Sequence, residues 1–408
     1  MQEIKDLDVL LKPCLGSKKI SSYTTRNLIA AGENYGSIML AVDVKIRKDN
    51  QDENEDETVN LVAKLCPPTE FIKKMFNIPI TYKKEVGFYS TVIPTLQQFQ
   101  IERGIKKPID FFPKYFGSRI NLNGFSEVDD DACLLLENIK VKGFDIVDRL
   151  QGFDIQSAEY IIKDLATFHA VPIALKMIKP DVFAKKVLPY LGKHMEADTI
   201  SEEMNQSMMK SIIEGTEKNN ECAKYKSRVL AAMKRNSENF VNQTITVQEP
   251  FATIVHSDYW VNNTMLKFEN GRPIANAIVD FQLIVYGNPA HDLLFFIYSS
   301  LNNHIIDENY QRLVDLYYDT FIRVLEDLKV DTTPFGYDVF LKQIEFAATE
   351  LQFYHIMFML KPIFTDKKKV KQLSDINENE MSNTDDISEM YYPKLWSTIL
   401  DFAKRNWI

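Results

Sequence analysis

VHSDYWVNNTMLKFENGRPIANAIVDF, residues 255–281, holds the pattern from which the rest of the chain is read. TMLKF (264–268) and IANAIVDF (274–281) are apolar runs separated by a segment containing Asn270-Gly271. That dipeptide between apolar runs marks a β-hairpin, because both residues tolerate positive φ. Antiparallel strands place the residue entering the first strand, Asn263, beside the residue leaving the second, Asp280, with Asp258 in the loop that feeds the same open end. The plainer alternative is a surface turn, since Ser, Asp and Asn bond their own backbone; the hairpin geometry argues against it.

Two aspartates and an asparagine gathered from distant positions form a set of hard oxygen ligands of the kind Mg²⁺ prefers, together with phosphate and water. Phosphoryl transfer uses such a set: one aspartate orients the acceptor hydroxyl and takes its proton, while an asparagine and a second aspartate hold metal against nucleotide phosphates. Asp258 is therefore the candidate catalytic base, and Asn263 and Asp280 are the candidate metal ligands. The step from Asp258 to Asn263, five positions (263 − 258), is that of a kinase catalytic loop.

Upstream, IMLAVDVKI (38–46) and VNLVAKLC (59–66) read as a β-hairpin around the acidic segment 47–58, which is expected to be a solvated insertion like 366–386. Lys64 stands in the second run, where an unpaired ammonium is costly to bury; it either reaches water from a strand end or meets an anionic partner. In the kinase pattern that partner is Glu85 together with nucleotide phosphates. A helix is expected from about Phe71 to Phe99, a short buried strand at LLLEN (134–138), a hinge at Gly143, and mainly helices from Ser157 onward, with Leu313, Tyr317, Phe321, Val324 and Leu328 on one apolar face.

With 408 residues, 45% of them hydrophobic, the chain can bury a large core and invites a two-lobed reading. The formal charge of −9 disfavours nucleic acid as a partner. Cys14, Cys66, Cys133 and Cys222 lack metal or disulfide spacing and suit a reducing compartment. Neither a signal peptide nor an apolar run of membrane-spanning length is seen, so a cytoplasmic location is expected.

HSDYWVNN with VDFQLIVYGNPAHDLLFF resembles the small-molecule branch of the protein-kinase-like fold, which includes aminoglycoside phosphotransferases and choline kinases. The tryptophan followed by two asparagines, and the DFQ, resemble more closely the insect ecdysteroid kinase-like family. GENYGS (32–37), LVAKL, KKEVGFY (83–89), LLLENI (134–139) and LATFHA (165–170) follow in that family's order. The resemblance implies an α+β, bilobal protein-kinase-like fold, with a β-rich nucleotide-binding lobe at 1–138 and a larger, mostly helical catalytic and acceptor-binding lobe at 139–408. It further implies an ATP- and Mg²⁺-dependent kinase of an ecdysteroid or similar lipophilic alcohol. Phosphates would lie at Gly32, Gly36, Ser37 and Lys64, and adenine at the backbone of Glu137 and Ile139.

The same resemblance gives His256 a supporting role in the catalytic loop, although a lone histidine also suits a general base. Asp292 is either a loop anchor or a favourable charge at a helix N-terminus begun by Asn288 and Pro289. Ser257 replaces the family's usual glycine, and Gln282 replaces the glycine of protein kinases, which with the missing APE-like segment disfavours a protein substrate. Trp260 suits either the catalytic loop or the acceptor floor. FAATELQFYHIMFMLKPIF (346–364) reads either as helix core or as one wall of an apolar, steroid-type acceptor pocket, since it offers a cation only Glu350. The competing functions are a kinase of a cationic amino alcohol or xenobiotic, and a catalytically silent relative that binds a ligand; joint retention of Lys64, Glu85, Asp258, Asn263 and Asp280 counts against silence.

Overall fold

A computed structural model describes residues 3–28, 36–48, 57–193, 201–242, 248–369 and 386–408. Gly32 and most of the two expected insertions, 49–56 and 370–385, lie outside the described residues.

Helix α1 (Leu7–Leu15) precedes β1 (Lys18–Asn27), β2 (Ile38–Lys48) and β3 (Glu57–Leu65). There follow α2 (Glu70–Met75), α3 (Ile78–Gly87), α4 (Ile93–Glu102), β4 (Tyr115–Arg119) and β5 (Cys133–Glu137). These strands form one antiparallel sheet in the order β1-β2-β3-β5-β4. Side chains alternate across a strand, and here the alternation separates two cores. Leu61, Ala63, Leu65 and Leu135 face a small core closed by Leu7, Leu10 and Leu11 of α1, whereas Leu134 and Leu136 face the main core under α3 and α4. Lys64, opposite Leu134, falls on the second face and so points toward α3.

The single helix expected at Phe71–Phe99 is interrupted. Asn77 adopts a left-handed φ of 46°, α3 restarts with a proline in its first turn, and a π-helical turn at Phe88–Val92 joins α3 to α4. An asparagine tolerates that conformation and a proline suits a first turn, so apolar spacing alone overran a break that the two residues impose.

After a 3₁₀ turn at Ile139–Lys142, closed by Gly143 at φ 87°, come β6 (Phe144–Asp145), α5 (Ile155–Ile178), α6 (Pro180–Lys186), α7 (Glu202–Glu217), α8 (Asn220–Ala223) and α9 (Lys226–Asn242). They lead to β7 (Thr253–Val255), β8 (Thr264–Glu269), β9 (Arg272–Ile278), β10 (Val285–Gly287), α10 (Ala290–Ser300), α11 (Asn303–Asp327), α12 (Tyr337–Ala347), α13 (Phe353–Phe364) and α14 (Tyr391–Lys404). The architecture is thus α+β, a β-sheet region followed by a mostly helical remainder. The main core runs from α3 and α4 into α5, α10 and α11. Phe88 stacks on Phe281 at 3.9 Å between ring centres, and Phe112 and Phe168 pack around the pair. Among the described residues no helix is long and apolar enough to cross a membrane.

Candidate active site

β8 and β9 pair from Thr264 opposite Ile278 to Glu269 opposite Arg272, and Asn270 and Gly271 close the turn with φ of 51° and 75°. At the open end the Val279 N–H donates to the Asn263 carbonyl at 3.0 Å. Asp280 follows with φ 67°, a left-handed conformation that aspartate adopts more readily than most residues. The Asn263 side-chain amide donates to both the carboxylate and the carbonyl of Asp258, each at 2.8 Å. Asp280 accepts from the Lys64 ammonium at 2.8 Å, and the same ammonium lies 2.6 Å from Glu85. Residues from β3, α3 and the exit of β9 therefore meet at one place, with the loop 256–263 beside them.

Three carboxyl groups gather there: Glu85 and Asp280 share the Lys64 ammonium, and Asp258 feels the charge of Asp280. Burial alone would lower the Lys64 pKa, but Asp280 and Glu85 outweigh it and hold the ammonium above its ordinary value. Burial holds Glu85 up to about 7, against the pull of a lysine it shares with Asp280. Asp258 is pushed well above the carboxylate range, first by burial and then by the Asp280 charge, while the Asn263 amide and the Trp260 indole favour its ionised form. Both raised values show a site that resists further negative charge, the condition a divalent cation relieves.

Asp292 lies in the first turn of α10, and its carboxylate accepts from the backbone N–H of His256 at 2.6 Å and of Ser257 at 2.9 Å. It also accepts from His169 Nε2 at 3.0 Å, whose Nδ1 pairs with the Tyr317 hydroxyl at 2.7 Å. Burial would raise the Asp292 pKa, but these partners hold it below the ordinary value. His256 Nδ1 accepts from the Asp258 N–H and Nε2 donates to the Val279 carbonyl at 2.9 Å, so both ring nitrogens are engaged and the ring is neutral, as its burial favours. Ser257 takes φ 68°, the conformation in which a glycine is unstrained. His169 and Tyr317 were not singled out from sequence as site residues, although LATFHA carries the histidine at a helix position.

Other expected positions lie near this centre or at a measurable remove. A Cβ on Gly36 would come within 2.7 Å of the Gln282 side chain, so the end of the glycine-containing segment rests on the residue two after Asp280. Ser37 is buried at the start of β2, with its hydroxyl against Met39, which pairs across the sheet with Lys64. Glu137 pairs with Leu61, three residues along β3 from Lys64, hence about 10 Å away. Its carboxylate is bound by Lys142 at 2.6 Å, and Ile139 packs with Met265 and Ala277 in a small apolar cluster of its own. Trp260 is buried in the main core beside Asp258.

The model of the ecdysteroid kinase-like family matches residues 31–330 of the 408, well over half the chain. The chain belongs to the ecdysteroid kinase-like family. It is thus a member of a family of small-molecule kinase-like phosphotransferases. Solved structures similar to this family member include a candidate aminoglycoside phosphotransferase of Ralstonia eutropha, with 12% identity, 99% of this chain and 98% of that one covered, and a TM-score of 0.44. An ethanolamine kinase of Plasmodium vivax gives 11%, 96%, 85% and 0.39 by the same measures. The GDP complex of aminoglycoside 2'-phosphotransferase-IIIa gives 10%, 99%, 100% and 0.39. No curated protein sequence matches the chain significantly.

Proposed function

We propose that this family member is an ATP- and Mg²⁺-dependent kinase that phosphorylates a hydroxyl of an ecdysteroid or similar lipophilic alcohol. The observation that carries the reading is the single Lys64 ammonium shared by Glu85 and Asp280, next to an Asp258 carboxylate held by Asn263. The residues suit the metal: the Asn263 amide nitrogen is committed to Asp258, which leaves its oxygen for a cation, and Asp280 supplies a carboxylate. Among the described residues no group of three or more His, Cys, Asp or Glu could hold an ion, so phosphate and water would complete the shell. Bound there, Mg²⁺ would neutralise phosphate charge.

The protein's own groups have separate tasks in this reading. Lys64 binds phosphate oxygens and is kept charged by its two carboxylates. Asp258, held by the Asn263 amide, orients the acceptor hydroxyl and in its ionised form receives its proton. Asp292 and His256 hold the loop from behind. The apolar cluster of Ile139, Met265 and Ala277 offers a floor for adenine, next to the backbone of Glu137 and Ile139. Gly36 and Ser37, with Gly32, are assigned to the phosphates. The same reading assigns residues 1–138 to the nucleotide-binding lobe and 139–408 to catalysis and acceptor binding, and places the enzyme in the cytoplasm, where ATP is supplied.

The test is transfer of labelled phosphate from ATP with Mg²⁺ to a panel of ecdysone, choline, ethanolamine and kanamycin. Labelling of ecdysone is the expected result. Labelling of a cationic amine alone would overturn the acceptor class and keep the kinase; no labelling of any small alcohol, even from a metabolite extract, would overturn the kinase.

A further inference from the structure

Beside the Lys64–Glu85 pair stands a buried polar group that the proposed chemistry leaves unused. Tyr89 follows Glu85 by four residues in one continuous helical run, and residues four apart are neighbours on a helix surface. It lies in the π-helical turn Phe88–Val92, an irregularity that recurs at functional sites. The residue is 1% exposed, and its hydroxyl has no hydrogen-bond partner among the described residues. Packing does not ask for that oxygen. The rings that Tyr89 meets edge-on, Phe88 at 6.0 Å and Phe281 at 5.7 Å between centres, carry no polar atom. A phenylalanine would fill the same space without burying a hydroxyl.

What the hydroxyl faces is negative charge. Burial, then the charge of Glu85 and after it that of Asp280, keeps the Tyr89 hydroxyl protonated, so it is available as a donor. Phe281 fixes the arrangement from the other side: its backbone N–H bonds to Glu85, its ring packs against Tyr89, and Asp280 directly precedes it. In the empty protein Glu85 has the Lys64 ammonium at 2.6 Å, and that ammonium is already divided with Asp280. Phosphates that draw Lys64 toward themselves weaken the hold on a carboxylate that is 2% exposed, and a buried carboxylate that loses its partner is costly. A neighbouring donor still without a partner can make good that loss. Glu85 is the acceptor the geometry favours over Asp280, since it shares the helix face and its charge acts more strongly on the hydroxyl.

We propose that Tyr89 is a positioning residue of the nucleotide site, whose hydroxyl turns to donate to the Glu85 carboxylate when phosphates engage Lys64. The bond holds Glu85 in place and so keeps Lys64 anchored while it binds phosphate. The inference rests on the kinase reading above and adds to it a contact made only in the loaded state.

Tyr89→Phe removes the oxygen alone, and two measurements on the whole chain separate the two states: thermal melts without nucleotide and calorimetric titration with Mg-ATP. The empty variant is expected to melt at or above the wild-type temperature, because an unpartnered polar atom has been removed. Its Mg-ATP affinity is expected to fall about tenfold, which is about 1.4 kcal/mol. In a double-mutant cycle with Glu85→Gln the two losses should not add, because the hydroxyl acts through that carboxyl. A Tyr89→Phe chain that melts clearly lower without nucleotide, or does not fold, has lost a bond already made in the empty protein and overturns the proposal. Losses that add in full overturn it as well. Wild type that binds no Mg-ATP strikes the kinase reading and this inference with it, whereas wild-type binding that Tyr89→Phe leaves unweakened strikes this inference alone.

Discussion

Asp258 shows at the scale of one residue how function and stability oppose each other. Its folded pKa is raised, so its ionised form destabilises the empty protein by an amount absent below the unfolded carboxylate range and growing as pH rises through that range toward the folded value. Asp258→Asn is expected to fold, to bind Mg-ATP, and to lose about 10²- to 10⁴-fold in turnover. Its melting temperature without nucleotide should exceed that of wild type at pH 7, with the gap closing as pH falls toward 4. A gap that is constant with pH would show that the carboxyl is not held in its neutral form. Ser257 makes the opposite case. Its φ of 68° strains a side chain, while the N–H bonded to Asp292 belongs to the backbone. Ser257→Gly should therefore raise stability by about 1 kcal/mol in denaturant titration and leave turnover in place.

At the scale of elements, two contacts decide where the groups proposed for catalysis stand. Helix α3 delivers Glu85 only because its other side docks onto the segment around Tyr190: Lys84 donates to the Gly192 carbonyl at 2.6 Å, and a Cβ on Gly87 would lie 2.0 Å from the Tyr190 ring. Gly87→Ala must push α3 or Tyr190 aside, at a cost of about 1–3 kcal/mol. Weaker Mg-ATP binding should accompany the loss, since Lys64 then loses its partner; unchanged affinity by calorimetry would separate α3 from the nucleotide site. Helix α10 is the second case. If Asp292 served only the helix dipole, its removal would cost about 0.3–1 kcal/mol. It receives three donors in a buried setting, so Asp292→Ala should cost ~3 kcal/mol or more and lower turnover together with stability. The helix bounds themselves were less legible. The strand β1 has a single buried residue, Thr25, and KKISSYTTRN carries no apolar alternation to announce it, because a bulge between Ile20 and Ser22 puts Ile20 and Tyr23, which both pack on the small core, three positions apart.

For the molecule as a whole, the sheet region and the helical remainder share one core through α3, α4 and the Phe88–Phe281 stack. A ligand held by Lys64 and Asp280 therefore ties the two parts together, and saturating Mg-ATP at about a hundred times its dissociation constant should stabilise the chain by ~2.7 kcal/mol. Lys64→Met and Asp280→Asn should each remove most of that gain in thermal melts, and a full gain in either would detach that residue from the nucleotide.

The Asn270-Gly271 turn and the flanking apolar runs determined by themselves that β8 and β9 are antiparallel neighbours, so that Asn263 and Asp280 fall near one end; the register there also depends on a bulge between Lys267 and Phe268 that the turn does not encode. The family and the order of sheet and helices were legible for the same reason, being carried by short stretches with their own local signals. Two features were not. That Lys64 points to Glu85 depends on which sheet face α3 covers, and that Asp292 reaches the loop through His256 and Ser257 depends on the docking of α10. Each is a contact between residues far apart in the chain, and no local periodicity encodes the packing that creates it.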